Sequence, residues 1–155
     1  MASISDFGID FALPMAALAA LSLSVAASAQ TPATNDIQIE IAGLRNAQGS
    51  VRFCLTRDHK NFPDCKGSGV VHGTVKASLA PLHYTFRDVP VGTYAVAAFH
   101  DANGNGKLDT MMMIPKEGFA FSRNPKVHRR APHFIEASFE GNAQPPAPLK
   151  MKYLL

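Results

Sequence analysis

Between His100 and Asp109 the chain reads HDANGNGKLD. Asp101, Asn103 and Asn105 set an oxygen-bearing side chain at every second position, and Gly106 follows at once. Counted from Asp101, this is the order of an EF-type calcium loop. It has side-chain oxygens at positions one, three and five and a glycine for the sharp turn at six. The carbonyl of Lys107 follows at seven and Asp109 at nine, with Leu108 between them to pin the loop to a core. Such a curl brings hard oxygens to a common centre, which is what Ca²⁺ takes. Position twelve, where a bidentate glutamate belongs, is Met112, and the nearest acid downstream is Glu117, which would have to fold back. The expected ion set is therefore Asp101, Asn103, Asn105, Lys107, Asp109 and Glu117. With few carboxylates and a lysine among them, its affinity belongs to the ~10⁻⁴–10⁻³ M class of extracellular modules. The same residue types also build turns, because Asn and Asp side chains bond their own backbone and Asn-Gly pairs favour tight reversals. The ion-loop and turn readings both stay open at this level.

Two other chemistries are present in the same region. Met111, Met112 and Met113, with His100 nearby, are soft ligands that could take copper(I) in a periplasmic carrier. Adjacent side chains of an extended chain diverge, however, so three methionines in a row make a poor single site, and a loop covering the core is the plainer account. Asp101, Asp109, Glu117 and His100 could serve a hydrolase as acid and base. No nucleophile with a paired base is visible beside them, and no catalytic residue is assigned.

The elements that would hold this loop belong to an exported chain. Phe11 to Ala27 is almost wholly apolar and meets Ala27-Ser28-Ala29, a small-x-small cleavage site. Residues 1–29 are thus expected to be a signal peptide, although Asp6 and Asp10 stand where a basic leader is usual. The apolar run is short for a retained anchor. No transmembrane segment is expected in the mature chain, and the destination is the periplasm or the exterior. Loss of Asp6 and Asp10 raises the formal charge from +3 to +5. The basic residues are scattered, apart from His128-Arg129-Arg130, and no stripe interleaved with aromatics suggests nucleic acid. Cys54 and Cys65 are the only cysteines, and in an exported protein they are expected to pair. That bond would contribute about 2–3 kcal/mol.

After a lead-in at 30–35, the pattern of residues 36–155 is that of strands. DIQIEIAGL, SVRFCLT and LHYTFRDV alternate, with Ile37, Ile39, Ile41, Val51, Phe53, Leu55, Leu82, Tyr84 and Phe86 facing inward. TYAVAAFH is apolar on both faces and suits a central strand. VVHGTVKASL is a weaker strand because of Gly73, and HFIEASFEG and LKMKYLL complete the set. About seven short strands and no helix predict an all-β fold, a single antiparallel β-sandwich of immunoglobulin-like or transthyretin-like type.

The stretch FHDANGNGKLDTMMMIPKEGFAFSRN resembles the signature of the bacterial domain of unknown function 2141 family, HD-x-N-x-N-G-K-L-D and then G-I-P-x-E-G-x-G-F-S-N-N. Agreement runs through His100, Asp101, Asn103, Asn105, Gly106, Lys107, Leu108, Asp109, Ile114, Pro115, Glu117, Gly118, Phe119, Phe121, Ser122 and Asn124. DVPVGTYAVAAF and IEIAGLRNAQGSVRFCL also look like the family pattern. Met113 and Ala120 stand where the family has glycine, which implies a local backbone change. The resemblance implies an exported β-sandwich protein without an assigned activity. The turn PVGTY resembles that of transthyretin-like and carboxypeptidase-regulatory sandwich domains, which are mostly accessory or binding modules. The expected function is an envelope accessory module, not an enzyme, that binds an envelope protein or ligand through the 100–124 loop. Phe119 and Phe121 would anchor that loop, and Ser122 and Asn124 would make its turn bonds.

Overall fold

The computed structural model describes residues 33–127, 130–141 and 146–155. The expected signal peptide at 1–29 lies outside these residues, as do His128 and Arg129 and most of the Pro-rich NAQPPAP stretch. Among the described residues the fold is all-β, with ten strands in three sheets. In chain order they are β1 (Thr34–Ala42), β2 (Ser50–Thr56), β3 (Val71–Lys76), β4 (Leu82–Pro90), β5 (Thr93–Asp101), β6 (Thr110–Met111), β7 (Ile114–Pro115), β8 (Phe119–Phe121), β9 (Phe139–Glu140) and β10 (Leu149–Lys150). A single helical turn, α1 (Phe134–Ala137), precedes β9.

The first sheet has the order β10-β1-β4 and the second β3-β2-β5-β8, with β9 also on β5; β6 and β7 form a small hairpin. One core takes side chains from both larger sheets. It contains Ile37, Ile39 and Ile41 of β1, Phe86 and Val89 of β4, Val51, Phe53 and Leu55 of β2, and Tyr94, Val96 and Ala98 of β5. Strict alternation would send Val89 outward if Phe86 points inward. The β1–β4 register slips between Asn35 and Ile37, and Asp88 takes a positive φ of 53° beside that slip. The bulge returns Val89 to the core. Gly73, which weakened β3 as a strand, has a packing reason: a Cβ there would stand 2.2 Å from the Phe53 ring across the ladder.

β5 is central as expected, paired with β2 on one side and β8 on the other. Its outer-facing Ala95 and Ala97 join a second cluster with Cys54, Cys65, Phe62 and Ala137, backed by Phe121 and Phe134. Cys54 and Cys65 form the expected disulfide, with Cα atoms 6.4 Å apart.

Four expectations are corrected. Strand pairing begins at Thr34, within the expected lead-in. The strand count among the described residues is ten rather than about seven, because residues 110–121 contribute three short strands. HFIEASFEG is not one strand: the Glu136 carboxylate accepts the His133 N–H at 2.7 Å and pairs with Arg130 at 2.8 Å, which favours a turn of helix. LKMKYLL pairs only briefly, and β10 runs parallel to β1.

Candidate functional site

The HDANGNGKLD segment leaves the end of β5 beside the β1–β2 turn. Ser50 and Asp101 are cross-strand partners. Gly49 makes that approach possible: it has φ +66°, and a Cβ on it would stand 2.0 Å from the Asp101 carbonyl oxygen. Asp101 itself is fully buried. Its Oδ2 accepts the Arg52 Nε–H at 2.9 Å and the Gly106 N–H at 2.9 Å. Its Oδ1 is buried and has no hydrogen-bond partner among the described residues. An orphaned buried carboxylate oxygen is costly, so this atom marks where a further positive group fits.

The rest of the loop is organised by its own amides. Asn103 Oδ1 accepts the Asn105 N–H at 3.1 Å, and Asn105 Oδ1 accepts the Lys107 N–H at 2.8 Å. These are two successive Asx turns. The amide groups of Asn103 and Asn105 donate to the two oxygens of Asp109, at 2.7 and 3.0 Å. Glu117 does fold back. Its carboxylate is 7% exposed and accepts the Ala102 N–H and the Asp109 N–H, both at 3.0 Å, and so clamps the two ends of the loop. Asn103, Asn105, Asp109 and Glu117 thus belong to one connected polar network, and Asp101 meets the loop separately through the Gly106 N–H. Lys107 projects outward from it, exposed.

His100 is buried and points elsewhere. Its Nε2 lies 2.7 Å from the Gln48 carbonyl, an acceptor only, so Nε2 carries the proton. Its Nδ1 then accepts from the Tyr153 hydroxyl at 2.9 Å. With both nitrogens engaged, His100 has no lone pair for a metal beside the methionines. Tyr153 is in turn covered by Arg45, whose guanidinium carbon stands 4.5 Å from the ring centroid. Gly118 admits the tyrosine ring, since a Cβ there would lie 2.5 Å from it.

The three methionines end a two-residue hairpin. Met111 pairs with Ile114, and Met112 and Met113 form the tip, with φ of 50° and 65°. Two consecutive positive φ values suit a primed turn, which glycine takes without strain. Met113, where the resembling family has glycine, therefore sits in the conformation that glycine favours. Ala120 is different: it adds a buried methyl opposite Ala98. Phe119 and Phe121 anchor the segment on β5 as expected. Ser122 does more than make a turn: its Oγ accepts the Val96 N–H at 2.9 Å and donates to the Ala137 carbonyl. Asn124 holds the C-terminal segment, donating to the Pro148 carbonyl at 2.8 Å and accepting the Lys150 N–H at 2.8 Å.

Among the described residues, no three His, Cys, Asp or Glu side chains form a metal-holding group of the usual kind. The residues missed from sequence are Arg52, Gln48, Gly49 and Tyr153. Arg52 carried one signal, a cation at an outward position between the inward Val51 and Phe53, but nothing local pointed it at Asp101. A family model described as "Uncharacterized protein conserved in bacteria (DUF2141)" matches residues 39–146. No curated protein and no solved structure matches the chain.

Proposed function

We propose, on the premise that the chain belongs to the DUF2141 family, that it is an exported, non-enzymatic binding module of the cell envelope whose 101–109 loop takes Ca²⁺ weakly. In this reading the two larger sheets close on their common core as a sandwich, and the 100–124 segment is the working face. The observation that carries it is the buried, unpartnered Oδ1 of Asp101. Asn103, Asn105 and Asp109 follow within the same curl, and the Lys107 carbonyl is the remaining loop oxygen. Bound there, the ion would order the loop. Asp101 holds it from the end of β5, and Glu117 keeps its ends together.

A family signature of this kind, with the loop polar groups bound to one another, supports a scaffold more than a reaction centre. The carboxylate pairs of Asp109 and Glu117 are each already engaged by two donors. Thermal unfolding of the protein in 10 mM CaCl₂, in 10 mM MgCl₂ and in chelator tests the ion. A site of the ~10⁻⁴–10⁻³ M class would add about 1.4–2.7 kcal/mol at that concentration by mass action. An unchanged midpoint in Ca²⁺ would reject the ion and leave the loop a hydrogen-bonded turn. Asp101→Ala is the wrong variant for this purpose, because it also removes the Arg52 and Gly106 bonds.

A further inference from the structure

Asn103 and Asn105 are the only asparagines of the chain that precede glycine. Such a pair is chemically labile, because the glycine nitrogen can swing onto the side-chain carbonyl carbon with no Cβ in the way. Both asparagines are exposed. Both side chains are also held in the same manner. Asn103 Oδ1 accepts the Asn105 N–H at 3.1 Å, and Asn105 Oδ1 accepts the Lys107 N–H at 2.8 Å. A donor on that oxygen stabilises the negative charge that develops there when Cγ is attacked. The two Nδ2 groups, which would leave as ammonia, both donate to Asp109, at 2.7 and 3.0 Å.

What differs is the attacking nitrogen. The Gly106 N–H donates to the buried Asp101 carboxylate at 2.9 Å, and that carboxylate is itself fixed by Arg52. The Arg52 guanidinium also stands 3.5 Å from where a Gly106 Cβ would be. Gly106 can turn its nitrogen toward Asn105 Cγ only by breaking a charge-assisted bond. Gly104 has no such tether. It is exposed, nothing lies within 4 Å of the place a Cβ would take, and its N–H has no acceptor among the described residues.

We propose that Asn103 is a site of spontaneous deamidation directed by the fold, and that the Gly106–Asp101 bond spares Asn105. Solvent base takes the Gly104 amide proton, and the nitrogen attacks Asn103 Cγ. The N–Cγ bond forms, the Cγ–Nδ2 bond breaks, and ammonia leaves with a proton from water. A second water opens the five-membered imide at either carbonyl and leaves aspartate or isoaspartate at position 103. Either product lacks the N–H that Asp109 Oδ2 accepts and sets a second negative charge beside it. The modification is thus a slow clock that loosens the 101–109 loop. It does not depend on calcium.

Prolonged incubation of the protein at pH 8, in chelator and heavy-oxygen water, followed by peptide mapping, tests it. Ammonia release, label uptake and a mixture of isoaspartate and aspartate are expected at position 103, with Asn105 at least about tenfold slower. In guanidinium chloride, where the Gly106–Asp101 bond is gone, the two positions should react at similar rates. Asn103→Asp, which reproduces one product, should lower the unfolding midpoint in chelator by about 2–4 °C. Equal rates at the two positions in the folded protein would overturn the proposal. So would an inert Asn103 in the folded protein, the same preference for Asn103 in denaturant, or aspartate without isoaspartate. A midpoint of Asn103→Asp at or above wild type would overturn the loosening.

Discussion

Glu117 is the residue whose removal should tell most about the loop. Its carboxylate accepts two backbone N–H groups, from Ala102 and from Asp109, both at 3.0 Å, on either side of the curl. Bonds to an ionised acceptor contribute about 1.5–3 kcal/mol each. Ala102 and Asp109 are half-buried, so water can partly replace the lost acceptor, and the lower end of that range applies. With two such bonds, Glu117→Ala should therefore cost about 3 kcal/mol. At about 4 °C per kcal/mol for a domain of this size, the midpoint should fall by about 12 °C. Glu117→Gln keeps one acceptor and turns an amide NH₂ toward the other N–H, so it should recover no more than about half of that loss. Urea unfolding in chelator gives the energies. Amide exchange gives the location, with the Ala102 and Asp109 amides accelerated in Glu117→Ala. A loss below about 0.5 kcal/mol, or unchanged exchange at both amides, would refute the clamp.

Gly49→Ala should be more severe, at least about 3 kcal/mol, because the new Cβ overlaps the Asp101 carbonyl and φ +66° is strained for any other residue; a urea midpoint near wild type would show that the β1–β2 turn can move aside. Met113→Gly should stabilise by about 0.5–1 kcal/mol by relieving the left-handed tip, read as a higher urea midpoint, and a lower midpoint would mean the side chain is bound to something. The Glu136 carboxyl is held down to about 2 from its ordinary 4.5, first by its hydrogen bond from Arg130 and then by the His133 N–H. A depressed carboxyl contributes stability that is fully present above pH 4.5 and is lost as pH falls toward 2. Wild type should thus exceed Glu136→Gln in stability at pH 5 and converge with it at pH 2. A gap that is constant across that range would remove the ion pair as its cause.

The long strands were legible because their burial is one-sided. Ile37, Ile39 and Ile41, or Val51, Phe53 and Leu55, can satisfy only one face of a pleated sheet, and period two says so without any partner being known. The short elements were not. The β6–β7 hairpin has two paired residues on each side, too few for a pattern, and its turn is made of methionines where turn chemistry expects glycine. α1 read as a strand because Phe134, Ile135, Ala137 and Phe139 show no helical period over so short a span. What sets it is a local arrangement of Glu136 with the His133 N–H three residues back and Arg130 six residues back, and His133 is not among the usual Ser, Thr, Asp or Asn caps that announce a helix start.

The loop itself shows where local chemistry runs out. Asp101, Asn103, Asn105 and Asp109 are the residues an ion would ask for and also the residues that make consecutive Asx turns, since both uses need short side chains with oxygen near the backbone. Spacing alone cannot separate them. What separates them is which oxygens remain unused after the turns are made, and that depends on distant residues. Arg52 reaches Asp101 from another strand and occupies Oδ2. Glu117 arrives after a hairpin and takes up the backbone donors at the loop's two ends. Gly49 lets the β1–β2 turn close over the Asp101 backbone. With those three in place, every carboxylate oxygen of the loop and of Glu117 has a donor except Asp101 Oδ1. An ion reading therefore rests on one atom rather than on a motif. That atom belongs to the carboxylate whose other oxygen Arg52 holds, so the ion reading turns on the Arg52–Asp101 pair.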